Sequence, residues 1–262
     1  MSLPGPRTLV PPGRESWRRR RLDPDDSRGL RLTLAATAAF LALVPFTLLA
    51  LLVLTTWPPL RRLDSAVTDA LHGYALTHPA WTRGLSVWTE VFGPMPLRVA
   101  ALVVVIWLVG RDARRLALWV AITMTVGGLL GPLLKLLVAR DRPDLLDPVA
   151  RATGYAFPSG HALNAALFAG VLLLVFLPYA GGPARRAALW VGALLLAGLT
   201  GLSRVALGVH WTSDVVAGWL LGAAVVAATA AALTVWRHRP DRDRPSTPAA
   251  RRGASATDRP GT

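Results

Sequence analysis

No cysteine occurs in the 262 residues, which excludes disulfides, thiolate nucleophiles and cysteine metal sites. Acidic residues are scarce, 15 against 29 Lys and Arg. They form no cluster of carboxylates of the kind that holds a pair of metal ions, so neither a metal nor a cofactor is expected. There is no clear internal repeat and no stretch with the composition of a soluble domain. What the chain does have is apolar sequence. It is 53% hydrophobic, with a mean hydropathy of +0.42, and the apolar residues fall in blocks. That pattern is the mark of a polytopic helical membrane protein. The net charge of +14 has nucleic-acid binding as a rival explanation. The arginines, however, crowd the termini and two short loops and so track membrane topology. Membrane lipids are the expected partner, and no nucleic acid.

The expected fold class is all-α, a membrane helical bundle of about six transmembrane helices plus an amphipathic interfacial helix. Residues 1–30 are rich in Pro, Arg, Asp and Ser and are expected to be a disordered basic segment, with Arg18-Arg19-Arg20-Arg21 as a cytoplasmic anchor. A transmembrane domain follows over 31–236. Its first span runs from Leu32 to about Leu54, longer than the roughly 7–15 apolar residues of a signal peptide. Over 60–90, Leu60, Leu63, Val67, Leu71 and Tyr74 recur at helical spacing with charges between them. That predicts a helix lying at the interface, with Trp81 and Trp88 as belt residues. The later spans are expected at about 91–109, 116–137, 161–177, 187–202 and 215–236. Gly127, Gly128 and Gly131 suit the third span to close helix packing. Residues 237–262 read as a disordered tail.

With six spans, the N-terminal arginines, the loop at 110–115, the turn at 181–186 and the tail share one side. The positive-inside rule makes it the cytoplasm. The loops at 55–90, 139–160 and 203–214 then face outward, and the polar residues with chemical potential gather there.

Three stretches carry that chemistry. The first is Ser203-Arg204 through His210 to Asp214. A carboxylate four residues from a histidine can fix its tautomer and leave the other ring nitrogen free as base or nucleophile. Arg204 adds a permanent cation with a fork suited to phosphate. The second holds Lys135, Arg140 and Arg142 at the end of the third span. The third is Phe157-Pro158-Ser159-Gly160-His161, where Ser159 is placed to cap the fourth helix. The capped N-terminus offers N–H groups and a helix dipole to an anion. Each stretch alone has a bland reading: a snorkelling cation, an interfacial histidine, an ordinary cap. Together they bring three cations, a helix N-terminus and two histidines to one membrane face, which is a site for a phosphate group with an acid and a base nearby.

Lys-x6-Arg-Pro, Pro-Ser-Gly-His and Ser-Arg-x5-His-x3-Asp, in that order, resemble the type 2 phosphatidic acid phosphatase (PAP2) superfamily of membrane lipid phosphatases. The resemblance implies that His210 attacks phosphorus to form a phosphohistidine, with Asp214 orienting it. It implies that His161 protonates the leaving oxygen and then activates water. Lys135, Arg142, Ser159, Arg204 and the Gly160 N–H would hold the phosphoryl oxygens. The implied substrate is a lipid phosphate such as undecaprenyl diphosphate, phosphatidylglycerol phosphate or phosphatidic acid, handled at the extracytoplasmic face of the cell membrane. Two alternatives stay open: a lipid phosphotransferase, and a non-enzymatic transporter or binding protein for anionic lipids. The oligomeric state is not legible, although the glycines of the third span offer a dimer contact.

Overall fold

A computed structural model describes residues 24–145 and 149–236. The expectations for 1–23 and for the tail at 237–262 lie outside the described residues. Among those described, eight α-helices follow in order: α1 (Pro24–Leu54), α2 (Pro58–Thr77), α3 (Pro79–Val91), α4 (Pro94–Gly110), α5 (Arg114–Val138), α6 (Gly160–Phe176), α7 (Pro183–Ala206) and α8 (Thr212–Trp236). A short 3₁₀ turn, Leu177–Tyr179, ends α6. Five of the helices, α1 and α5 to α8, are long and apolar enough to cross a membrane, and the bent pair α3–α4 makes a sixth crossing if taken as one span. The chain is thus an all-α bundle of the expected kind.

Three boundaries differ from the sequence reading. Helix α1 begins at Pro24, inside the segment expected to be disordered. Its first turns simply precede the apolar run. The single interfacial helix over 60–90 is two helices, because Pro79 cannot continue α2 and instead opens α3. The second span is not one straight helix from Val91. Gly93 and Pro94 break it, and α3 and α4 meet at 42°.

Helix α6 is the centre of the bundle and packs against α4, α5, α7 and α8. Its buried face, including Ala162, Ala165, Leu167, Val171 and Val175, meets glycines on its neighbours. At Gly218 of α8, a Cβ would lie 2.7 Å from the Ser159 carbonyl oxygen, so only glycine allows that approach. Gly127 and Gly131 of α5 face Leu167 and Leu163 of α6, so their small size is used within the chain. Lower in the bundle, Trp119 Nε1 donates to Thr229 Oγ1 at 3.1 Å and Thr123 shares a hydroxyl contact with the same threonine at 2.9 Å. These tie α5 to α8 by hydrogen bonds where hydrocarbon offers no solvent to compete.

Helix α2 departs from a simple amphipathic reading: Leu60, Val67 and Leu71 are half-buried against core residues, but its fully buried positions are mostly polar. Asp64, Thr68, His72 and Ala75, one residue of each turn, are its buried positions, while Leu63 and Tyr74 are exposed. The polar stripe faces protein, toward α7 and α8.

Candidate functional site

The site forms where four chain segments end together. Helix α5 arrives with Lys135, the connection 139–159 follows, α6 departs from Gly160, and the turn between α7 and α8 closes the ring. This end of the bundle is opposite the arginine-bearing loop at 110–115 and the turn at 181–186, since α5 and α7 both run from those turns toward it.

Local structure fixes each group. Ala139 caps α5 in the left-handed region (φ 48°), its N–H bonded to the Lys135 carbonyl at 2.9 Å. The Ala156 N–H donates to Arg140 O at 2.8 Å and pins the returning loop. Ser159 is the N-cap of α6, its Oγ accepting from the Ala162 N–H at 3.5 Å. Its own N–H donates to Asp214 O at 2.9 Å, locking the start of α6 to the start of α8. After α7, the N–H groups of Val209 and His210 both donate to Arg204 O, at 3.1 and 3.2 Å, and Gly208 turns the chain at φ +69°. A side chain there would be strained and would strike Leu145.

His210 is buried, with 2% of its surface exposed. Its Nδ1 lies 3.4 Å from Asp214 Oδ2 and its Nε2 lies 3.3 Å from Arg142 Nη1. A carboxylate accepts only and a guanidinium donates only, so the two neighbours select the Nδ1–H tautomer and leave the Nε2 lone pair facing Arg142. Burial pulls this imidazole below its ordinary range, to about 4, against the pull of Asp214 the other way. The ring is therefore neutral near pH 7.

The cations differ in how free they are. Lys135, the only lysine of the sequence, donates from Nζ to Tyr155 O at 2.9 Å. Arg142 is fully engaged. Its Nε and Nη2 donate to the carbonyls of Gly154, Thr153 and Tyr155, and its Nη1 donates to Val209 O at 2.6 Å besides facing His210. Arg204 is 8% exposed and donates from Nη1 to Thr89 Oγ1 at 3.1 Å, while its Nε has no partner. Among the described residues none of these three cations has an ion pair. Lys135, Arg142, Arg204 and His210 all lie within electrostatic reach of His161. His161 and Arg204 line one cavity of ≈ 410 Å³ with Glu90 and Pro94. Arg142 lines a neighbouring one of ≈ 680 Å³, and Ala150 and Arg151 belong to both. Gly160 carries no side chain into this space, and a Cβ there would meet nothing within 4 Å. Ser159 is wholly buried beneath it.

All eight residues singled out from the sequence thus lie at this one end. Sequence reasoning missed Thr89, which anchors Arg204, and Asn164, which accepts from Arg98 Nε at 3.1 Å and donates to Gly160 O at 2.8 Å. It also missed Asp64 and Ser213 and left Arg140 without a role. Arg140 bonds Asp214 Oδ1 at 2.6 Å and Asp64 Oδ2 at 2.7 Å. The available signal was the polar stripe of α2, Asp64, Thr68 and His72 at four-residue steps, which is a buried face only if protein covers it.

Residues 116–240 match the family model described as the PAP2 superfamily. An undecaprenyl-diphosphatase of Sulfolobus acidocaldarius is 32% identical over 150 residues, which are 55% of this chain and 66% of that protein. A phosphatidylglycerophosphatase B of Bacillus subtilis is 38% identical over 97 residues, 36% of this chain and 46% of that protein. The matches thus span about two thirds and about half the length of these relatives. The crystal structure of a transmembrane PAP2 type phosphatidylglycerolphosphate phosphatase from Bacillus subtilis superposes with a TM-score of 0.66. It covers 79% of this chain and 99% of that one at 23% identity, a likeness of fold.

Proposed function

From the premise that the chain belongs to the PAP2 superfamily, we propose that it is a membrane phosphatase for lipid phosphates or diphosphates that works without a metal through a phosphohistidine. One observation carries this reading: the buried His210 holds a carboxylate against Nδ1 and a cation against Nε2. A neutral ring with a fixed Nδ1–H presents its Nε2 lone pair as a nucleophile.

The Nε2 atom attacks phosphorus, the bond to the lipid oxygen breaks, and His161 gives that oxygen a proton. Water then attacks the phosphohistidine, His161 takes the water's proton, and inorganic phosphate leaves with His210 restored. The positive charge that His210 gains is met by Asp214. Negative charge building on the phosphoryl oxygens is met by Arg204, Lys135, the N-terminus of α6 and the Arg142 Nη1–H, which the phosphoryl group would take over from His210. In this reading the fixed cations take the role that metal ions have in other phosphatases.

Two features support a lipid substrate at the extracytoplasmic face. The site is at the mouth of a bundle of apolar helices, and the arginine-bearing turns lie at the other end, which the positive-inside rule would assign to the cytoplasm. Undecaprenyl diphosphate, phosphatidylglycerol phosphate and phosphatidic acid are the candidate substrates. The test is phosphate release by purified protein in detergent with EDTA present, on those three lipids, beside His210→Ala. Release from at least one, lost in the variant, supports the reading. Release that EDTA abolishes and Mg²⁺ restores contradicts it. Absence of release with lipid exchange across vesicles would favour the transporter reading instead.

A further inference from the structure

The buried group behind Asp214 is larger than orienting a histidine requires. Arg140 spreads its fork between two carboxylates, with Nη1 on Asp214 Oδ1 at 2.6 Å and Nη2 on Asp64 Oδ2 at 2.7 Å. Ser213 joins them: its N–H donates to Asp64 Oδ1 at 2.9 Å, its Oγ donates to Asp64 Oδ2 at 2.5 Å, and Arg140 Nη1 reaches its Oγ at 2.6 Å. Asp64 and Asp214 are 1% and 0% exposed, and the Arg140 side chain 14%. Desolvating three charges is costly, and a clamp between α2 and α8 could be built from apolar contacts at less cost.

The division of oxygens at Asp214 is informative. Oδ1 is held by Arg140, which leaves Oδ2 to accept from the Trp211 N–H at 2.9 Å and to face His210 Nδ1. Arg140 therefore fixes the rotation of the carboxylate. Alone, however, it would also neutralise that carboxylate. Asp64 answers Arg140 with a second negative charge, so the trio carries a net charge of −1 on the side of His210.

We propose that Asp64 and Arg140 are positioning residues that act through Asp214: Arg140 turns its carboxylate toward His210, and Asp64 balances Arg140 so that Asp214 remains an anion for the imidazolium that forms there. This rests on the phosphohistidine reading. It separates Asp64, on a helix outside all three motifs, from a merely structural anchor.

The test compares wild type, Asp64→Asn, Arg140→Lys, Asp214→Asn, and Asp64→Asn in the Asp214→Asn background, all purified in detergent. Phosphate release from short-chain phosphatidic acid gives kcat and KM per folded molecule, with folding followed by size exclusion and thermal melting. In parallel, protein labelled with ¹⁵N-histidine reports the His210 Nδ1 proton, assigned by its loss in His210→Gln. Asp64→Asn should lower kcat about 10–100-fold, the scale of losing an outer-shell partner, with KM within about threefold and the Nδ1 proton shifted upfield. Arg140→Lys should retain part of the rate. The double variant should be no slower than Asp214→Asn alone, since the two act through one group. An unchanged kcat per folded molecule in Asp64→Asn, or additive losses in the double variant, overturns the proposal. If wild type releases no phosphate, the phosphatase reading falls and the Nδ1 signal decides: a shift in Asp64→Asn upholds the coupling, and no shift removes it.

Discussion

Replacing Arg204 by lysine keeps one positive charge and removes the fork. In the structure Nη1 donates to Thr89, and Nε is buried without a partner; under the proposed mechanism the uncommitted N–H groups of the fork serve a phosphoryl oxygen. An ammonium cannot hold Thr89 and reach phosphate with the same fixed geometry. Loss of one preorganised donor to a developing oxyanion typically costs about 10²–10³ in kcat, or about 2.7–4 kcal/mol. Lysine retains part of the electrostatic contribution, so the lower end, about 10²-fold in kcat/KM, is expected for Arg204→Lys, and about 10³-fold for Arg204→Gln. Stability should move the other way. Arg204 is a nearly buried cation that shares its surroundings with Lys135 and Arg142 and has no acidic partner among the described residues. Its removal relieves repulsion and leaves no charge orphaned, so Arg204→Gln should melt no lower than wild type. Phosphate release against lipid phosphate concentration, paired with a thermal melt in the same detergent, measures both. A variant within tenfold of wild type, or one whose loss merely follows loss of folded protein, refutes the reasoning.

If His161 serves as the acid, His161→Ala should be slow on lipid phosphates. With p-nitrophenyl phosphate, whose leaving group needs no proton, it should show a burst of about one equivalent followed by slow turnover; a linear time course would count against that role. The lowered affinity of His210 for a proton has a stability consequence. Between its ordinary 6.5 and about 4 the unfolded chain binds a proton that the folded one refuses, so stability is full above about pH 6.5 and falls as pH drops toward 4. The loss of melting temperature from pH 7 to 4.5 should therefore be smaller in His210→Gln, and an equal loss would speak against this burial effect. Gly218→Val should lower both melting temperature and activity, because its Cβ would press on Ser159 O at 2.7 Å and Leu163 N at 3.0 Å and push the start of α6 from α8. A fully active, equally stable valine variant would mean that this approach is not needed.

The helical bundle was legible because lipid forces a simple pattern: long apolar runs, breaks at Gly and Pro, and a bias of the arginines toward one side. The candidate site was legible because Lys135, Arg142, His161, Arg204, His210 and Asp214 fall in three short stretches that the span count brings to one face; each stretch alone reads as well as a snorkelling cation, a cap or an interfacial histidine. Helix α2 was misread. Its apolar residues read as lipid-facing and its polar ones as water-facing, but Thr68 is buried and Asp64 bonds Ser213, about 150 residues away in sequence. Arg140 looked like one more headgroup arginine, since nothing local to it shows that it joins two acids from distant helices. The engagement of Arg142 by four carbonyls was likewise invisible, because it depends on the path of the loop 149–155.

In the proposed mechanism His210 carries the phosphoryl group between lipid and water. The direct measurement is rapid acid-free quench of the protein during turnover of ³²P-labelled lipid phosphate, followed by identification of the labelled peptide. Transfer through His210 should leave an acid-labile, base-stable label on the peptide containing His210, absent from His210→Ala and slow to form in Arg204→Gln. Turnover with no labelled enzyme, or an undiminished label in His210→Ala, would contradict it.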